Sequence, residues 1–181
     1  SRIERNGVFM TANHPADPSA ERVTQWVQEH GPAVRGYLRA LVRHDAEADD
    51  LAQEVFRRAW TARDSYQEQG TARSYLLRIA DRLVCDRARR MRREVNLDSQ
   101  AWESIEPQAR TGDPIRWMGH SEAQRQLAEA LDQLTPAQRR VLLLRYYGQM
   151  SFTEIAHTMN SPLNTVLSHC HRGLRTLRRI L

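Results

Sequence analysis

Four arginines, Arg172, Arg175, Arg178 and Arg179, recur at helical spacing near the end of the chain, in a stretch from residue 163 onward that holds no acidic side chain. A guanidinium presents a planar fork of donors that matches a phosphate or the edge of a guanine, so such a face suits nucleic acid better than a catalytic pocket. All 27 basic residues of the chain are arginine, against 22 acidic ones, for a formal net charge of +5. That charge is laid down in blocks. Residues 71–93 hold eight arginines against Asp81 and Asp86; residues 45–61 hold five acids against Arg57 and Arg58; residues 94–120 hold five acids against Arg110 and Arg116. Alternating blocks point to separate surfaces with separate partners.

Other chemistries find less support. There is no glycine-rich phosphate loop, no nucleophile–base pattern and no paired-carboxylate constellation, so no enzymatic activity and no cofactor are expected. Cys170 between His169 and His171, with His157 nearby, has the residue types of a metal site. On a helix, however, positions i and i+2 point about 200° apart, so the two histidines cannot easily share one ion, and no metal is expected. Cys85 and Cys170 stand far apart in the sequence and read as buried or bystander thiols in a reducing cytoplasm.

The elements that must position these residues are helical. Thr135-Pro136-Ala137-Gln138 and Ser151-Phe152-Thr153-Glu154 are capping boxes, the first with proline at the first helical position. Gly148 stands where a C-cap glycine would end the helix opened by Thr135. Asn160-Ser161-Pro162 breaks the chain again, and a basic helix follows from about Leu163. Two short helices joined by a turn, the second polar and basic, is the sequence form of a helix-turn-helix and points to a DNA major groove.

Upstream, Ser19 is placed to cap a helix through about Glu29, with His30-Gly31-Pro32 interrupting it. A second helix carries Val34, Tyr37, Leu38, Leu41 and Val42 at helical spacing. The helix from Asp45 has an apolar stripe of Ala48, Leu51, Ala52, Val55, Phe56, Ala59 and Trp60. Its opposite face is Asp50, Gln53, Glu54 and Arg57. A polar loop at 63–70 holds Tyr66, and a helix over 71–93 turns Tyr75, Leu76, Ile79, Leu83 and Val84 inward.

These readings divide the chain into an N-terminal tail at 1–18, a helical domain at 19–93, a linker at 94–120 and a helix-turn-helix domain at 121–181. Met10 is a candidate natural start, with 1–9 an upstream extension. Pro107, Gly112, Pro114 and Gly119 punctuate the linker, and Trp102, Ile105, Ile115 and Trp117 give it apolar material to fold back or to dock. No run of about 18 apolar residues exists, so no membrane insertion is expected. The fold class is all-α, two small helical domains joined by a linker.

Three segments, in order, resemble the extracytoplasmic-function sigma factors of the sigma-70 family. Residues 45–60, with the core Asp50-Leu51-Ala52-Gln53-Glu54-Val55-Phe56, closely resemble region 2.2. Residues 75–87 resemble regions 2.3 and 2.4, and residues 134–146 with the helix-turn-helix resemble region 4. The likeness covers about residues 34–181. It implies a transcription initiation factor that acts in the cytoplasm, binds core RNA polymerase, recognises two promoter elements, helps melt the DNA and is released. A helix-turn-helix regulator acting without polymerase is the alternative, and it has no need of the region 2.2 motif.

The resemblance also implies which residues act. Asp50, Gln53, Glu54 and Arg57 would dock on the clamp helices of the beta-prime subunit, while region 4 meets the beta flap. Tyr66, Arg73, Ser74, Arg78, Arg82, Arg89 and Arg90 would serve the −10 element. Bases unpaired by melting are held by stacking and by extrusion into pockets. The family commonly has asparagine where this chain has Arg82; an arginine there can stack on a base, fork to it, or bind backbone. Tyr75 falls at a position suited to core packing. Thr165, Leu167, Ser168, His171, Arg172 and Arg175 would face the −35 element, with Leu167 alternatively buried. Many family members are held inactive by an anti-sigma factor, which adds a further partner.

Overall fold

A computed structural model describes residues 17–42, 44–67, 70–98 and 121–181. Met10 and the linker residues Trp102, Ile105, Ile115 and Trp117 lie outside the described residues. Among the described residues every regular element is helical, as the periodicity predicts.

Helix α1 spans Pro18–Leu41, α2 Asp45–Thr61 and α3 Ala72–Asp98. The expected break at His30-Gly31-Pro32 is absent, and α1 runs through Pro32 as one helix. Its buried residues explain why. Val23, Trp26, Gly31, Val34, Tyr37 and Leu38 form one stripe whose phase continues across the Gly-Pro pair. Burial of that stripe against α2 and α3 outweighs the missing proline N–H, a cost of about 3 kcal/mol in a helix interior. The cap is Asp17 rather than Ser19: its side chain accepts the Ser19 N–H at 3.0 Å, and Pro18 takes the first helical position. Those Ser19 hydrogen bonds hold the Asp17 carboxyl below its ordinary value.

The second half holds α4 (Glu122–Asp132), α5 (Pro136–Leu142), α6 (Phe152–Met159) and α7 (Leu163–Ile180). Ser121, Thr135 and Ser151 each form a reciprocal capping box, so three helix starts are satisfied by local side chains. Helix α5 widens into a π-helical turn over Leu143–Tyr147 before Gly148. Gly148 is not the left-handed cap that its sequence position suggests. Its φ is −83°, and Gln149 carries the positive φ of 57°. Glycine is required at 148 by crowding: a Cβ would stand 2.6 Å from the Leu144 carbonyl oxygen and 3.0 Å from Leu77 of α3.

That contact crosses between the halves. The buried residues of α1–α3 and those of α5–α7, among them Val141, Leu144, Met150, Ile155 and Val166, join in one hydrophobic core. The described helices therefore pack as a closed body rather than as two separated ones.

Candidate nucleic-acid interface

Three surfaces gather the polar residues singled out by the sequence. The first is the outer face of α2. Ala48, Ala52, Val55 and Ala59 are buried, and the opposite side presents Asp50, Gln53 and Arg57, with Glu54 partly covered. Trp60, expected in the apolar stripe, turns outward at 44% exposure because its indole supports the Arg63 guanidinium, 4.8 Å away. Charge on this face is internally balanced. The Glu54 carboxylate accepts from Arg57 Nε and Nη2 at 2.6 and 2.7 Å and from Arg58 Nε at 2.8 Å. The Arg57 and Arg58 hydrogen bonds lower its pKa to about 2. Among the described residues no hydrogen bond or ion pair engages Asp50 or Gln53. The face is flanked by two shallow grooves. Val27, Arg35 and Phe56 line the one against α1; Leu83, Arg87 and Met91 line the one against α3. A polar ridge between two part-apolar grooves has the form of a protein-docking surface.

The second surface is an open cleft between the loop after α2 and the start of α3. Ser65, Tyr66, Gln67, Tyr75, Arg78 and Arg82 line it. Its aromatic wall is fixed from behind. Trp26 meets Tyr66 edge-on with centroids 4.8 Å apart, and Tyr66 and Tyr75 lie 4.7 Å apart. Tyr75 thus packs on the core and also borders the cleft; burial raises its hydroxyl pKa. Arg82 is exposed, one turn beyond Arg78 on α3. Two guanidiniums above a braced aromatic wall can hold an unstacked base and its phosphates. Arg89 and Arg90 lie further along α3, both exposed, Arg89 pairing with Asp86 at 3.2 Å and Arg90 lining the groove against α2.

Arg73 and Ser74 do not join this cleft. Ser74 is 2% exposed, and its hydroxyl donates to the Thr71 carbonyl at 2.8 Å. The Arg73 guanidinium lies 5.5 Å from the centroid of the Tyr147 ring in the other half. Both sit on the inner side of α3, Ser74 buried and Arg73 half-buried, away from the cleft that Tyr66, Arg78 and Arg82 line.

The third surface is α7. Asn160 ends α6 in the left-handed conformation, and Pro162 begins α7. Val166, Cys170 and Gly173 are buried, which turns Leu167, Ser168, His171, Arg172 and Arg175 outward and leaves Thr165 half-buried. Leu167 is 39% exposed, so the buried alternative does not hold. Arg172 Nε reaches only its own helix, the Ser168 carbonyl at 3.3 Å, and among the described residues no carboxylate pairs with Arg172 or Arg175. Unpaired guanidiniums on one helix face are available to phosphates and bases. His169 and Cys170 lie on the half-buried and buried sides, and among the described residues no cluster of His, Cys, Asp or Glu is disposed to hold a metal.

The sequence reading missed one buried polar cluster. Asp81 on α3 is 1% exposed and accepts from Arg140 Nε at 2.8 Å, from Arg140 Nη2 at 2.7 Å and from the Tyr37 hydroxyl at 2.8 Å. Burial works to lower the Arg140 pKa, but the hydrogen bonds and charge of Asp81 leave it above the ordinary arginine value. Burial, reinforced by the Asp81 charge, raises the Tyr37 hydroxyl well above its usual range. A signal existed: Asp81 shares the inward phase of Leu77 and Ala80, where an acid needs a partner. The partner, 59 residues away, carried no such mark.

Residues 26–94 match the model of Sigma-70 region 2, and residues 124–177 that of Sigma-70, region 4. The chain is 30% identical over 141 residues to the ECF RNA polymerase sigma factor SigW of Bacillus subtilis, covering 75% of each protein. It is 26% identical to the ECF RNA polymerase sigma factor SigK of Mycolicibacterium vanbaalenii, over 92% of this chain and 85% of that protein. Among solved structures it resembles the sigma factor RpoE in complex with the anti-sigma factor NepR from Bartonella quintana. The TM-score is 0.69 and the identity 22%, over 88% of this chain and 96% of that one.

Proposed function

The chain belongs to the extracytoplasmic-function sigma factors of the sigma-70 family, and on that premise we propose how its three surfaces divide the work of initiation. It is a transcription initiation factor: it binds core RNA polymerase and directs it to promoters. The outer face of α2 docks on the clamp helices of beta-prime, with Asp50 and Gln53 offering unsatisfied polar groups and the Glu54–Arg57 pair docking as a neutral unit. Region 4 meets the beta flap.

The cleft of Tyr66, Tyr75, Arg78 and Arg82 receives an unpaired base of the −10 element, and Arg89 and Arg90 follow the phosphates along α3. Convergence of these side chains on one open cleft is the observation that carries the assignment. A flipped base loses stacking in the duplex and regains it against an aromatic wall, which favours the melted state. Helix α7 enters the major groove of the −35 element, where Arg172 and Arg175 reach a guanine edge or a phosphate. These roles require no covalent chemistry of the chain and place it in the cytoplasm with its polymerase. An anti-sigma factor, such as partners RpoE in its solved complex, is a further expected partner. A helix-turn-helix regulator independent of polymerase would leave the α2 ridge and the aromatic cleft without use.

Run-off transcription with purified core polymerase tests the reading. The chain should convert core enzyme from unproductive to promoter-specific. Operator-like DNA binding by the chain alone, with no stimulation of core polymerase, would contradict it.

A further inference from the structure

Helix α7 carries its charge toward one end. Its surface rows run in steps of four residues. Leu163, Leu167, His171 and Arg175 form one row, and Asn164, Ser168 and Arg172 form the row beside it. Each of these side chains is exposed. Over the first two turns both rows are uncharged. The first guanidinium, that of Arg172, stands roughly 13 Å along the axis from Leu163 at 1.5 Å per residue. No acid occurs in α7. A recognition helix meets base edges with its N-terminal residues. The end of α7 that meets bases is therefore the neutral end, and the arginines follow behind it.

Two of the neutral residues have a defined chemistry at a base edge. Asn164 presents a donor and an acceptor together, and among the described residues no hydrogen bond engages its amide. That pair of groups matches adenine, whose N7 accepts and whose N6 donates. Guanine offers two acceptors at the same edge and would set O6 against the amide oxygen. Leu167, 39% exposed, is an apolar side chain on an otherwise polar and basic face. It gains nothing from a phosphate. Thymine is the one base with an apolar group, its 5-methyl, on the major-groove edge. Leu163 is exposed too, but it borders a shallow groove with Ala156 and His157 of α6. Asn164 and Leu167 are three residues apart and so are neighbours on the helix surface.

We infer that Asn164 and Leu167 make α7 a reader of A·T base pairs in the −35 element, Asn164 through the adenine edge and Leu167 through the thymine methyl. The inference rests on the −35 role proposed for α7 and adds the base class that it selects. Adenine N6 and N7 and the thymine methyl share the major-groove edge of one A·T pair, so neighbouring side chains of complementary kind reach both. Arg172 and Arg175 act at the flank, on phosphate or on a guanine. An exposed leucine also suits a protein partner, but a helix with no acid and a run of arginines favours a polyanion.

The test uses holoenzyme assembled from the full chain and core polymerase, on the promoters that give most run-off transcript in a library. Their −35 element should contain A·T pairs. Each −35 adenine is then replaced by 7-deazaadenine, which lacks only the N7 acceptor, and each thymine by deoxyuridine, which lacks only the methyl. Wild type should lose about tenfold in promoter affinity at one 7-deazaadenine. It should lose about fourfold at one deoxyuridine, the worth of one buried methyl group. Asn164→Ala should lose the response to 7-deazaadenine and keep the response to deoxyuridine; Leu167→Ala should do the reverse. The wild-type arms decide the matter should either variant fail to fold. A −35 element of G·C pairs alone, wild-type binding indifferent to both analogues, or variants that keep the response each should lose overturns the inference. So does a Leu167→Ala chain that binds core polymerase more weakly with promoter discrimination unchanged, since the leucine then faces protein. In all these cases α7 remains the −35 reader if Arg172→Ala still alters −35 dependence. Wild-type binding indifferent to every −35 substitution overturns that role and the inference together.

Discussion

The two sides of α3 are built from similar residues and do opposite things. On the outer side the half-buried Arg78 and the exposed Arg82 line an open cleft with an aromatic wall. On the inner side, one to five positions away, Arg73 packs on Tyr147, Ser74 is buried, and Asp81 pairs with Arg140 of the second half. An arginine-rich segment therefore does not by itself mark a nucleic-acid surface. Helical phase decides, because it settles which side chains meet water and which meet the other half of the molecule.

The largest effect should come from the inner side. Asp81→Asn removes the charge opposing Arg140 and weakens the Tyr37 hydrogen bond; a loss of about 1–3 kcal/mol in urea unfolding is expected. Arg82→Ala, one residue along, should leave unfolding within about 0.5 kcal/mol of wild type. It should instead lower the salt slope of holoenzyme–promoter binding by roughly one, if its contact is to phosphate. Equal destabilisation by the two changes would erase the distinction between the sides.

The outer face of α2 sharpens the contrast between protein-facing and DNA-facing charge. Gln53→Ala with Glu54→Arg places an unpaired arginine where a neutralised carboxylate stood. Core-polymerase binding should weaken by about 1–3 kcal/mol, the range for disrupting a charge-assisted contact, with the melting temperature unchanged. Unaltered affinity in a native-gel titration would remove α2 as the docking face.

How much of this was legible in the sequence depends on how local the cause is. The capping boxes at Ser121, Thr135 and Ser151 and the turn at Asn160-Ser161-Pro162 were readable, since each is satisfied by neighbours within three or four residues. The continuity of α1 was readable in principle from the unbroken phase of Val23, Trp26, Val34 and Tyr37, but the Gly-Pro pair signals a break more loudly than tertiary burial can be seen to override it. At Gly148 the sequence position suggests a left-handed cap, whereas glycine is required there by crowding, from the Leu144 carbonyl one turn back and from Leu77, far away in sequence. For Asp81 the inward helical phase is local, but its partner Arg140, like the cover that Tyr147 gives Arg73, depends on which half of the chain packs where.

The smallest effect concerns Glu54. Its carboxyl, lowered to about pH 2 by Arg57 and Arg58, stays ionised well below the pH at which an ordinary glutamate protonates. Whatever stability this depressed value contributes is present above the unfolded pKa and is lost as pH falls through about 2. Carbon-detected NMR titration should show that midpoint, and Arg57→Ala should return it toward the ordinary glutamate value. An ordinary midpoint in wild type would mean that the internal pairing on α2 does not persist in solution.

The central claim is that the outward cleft and α7 read two different promoter elements. It is tested most directly by run-off transcription with core polymerase on a promoter library, comparing wild type, Arg82→Ala and Arg172→Ala. Arg82→Ala should change transcript yield according to the −10 sequence alone. Arg172→Ala should relax one −35 position by about 1–3 kcal/mol of discrimination if it forks to guanine, or weaken all promoters alike if it binds phosphate. Folded variants that both transcribe the whole library as wild type does would contradict the assignment of these two surfaces.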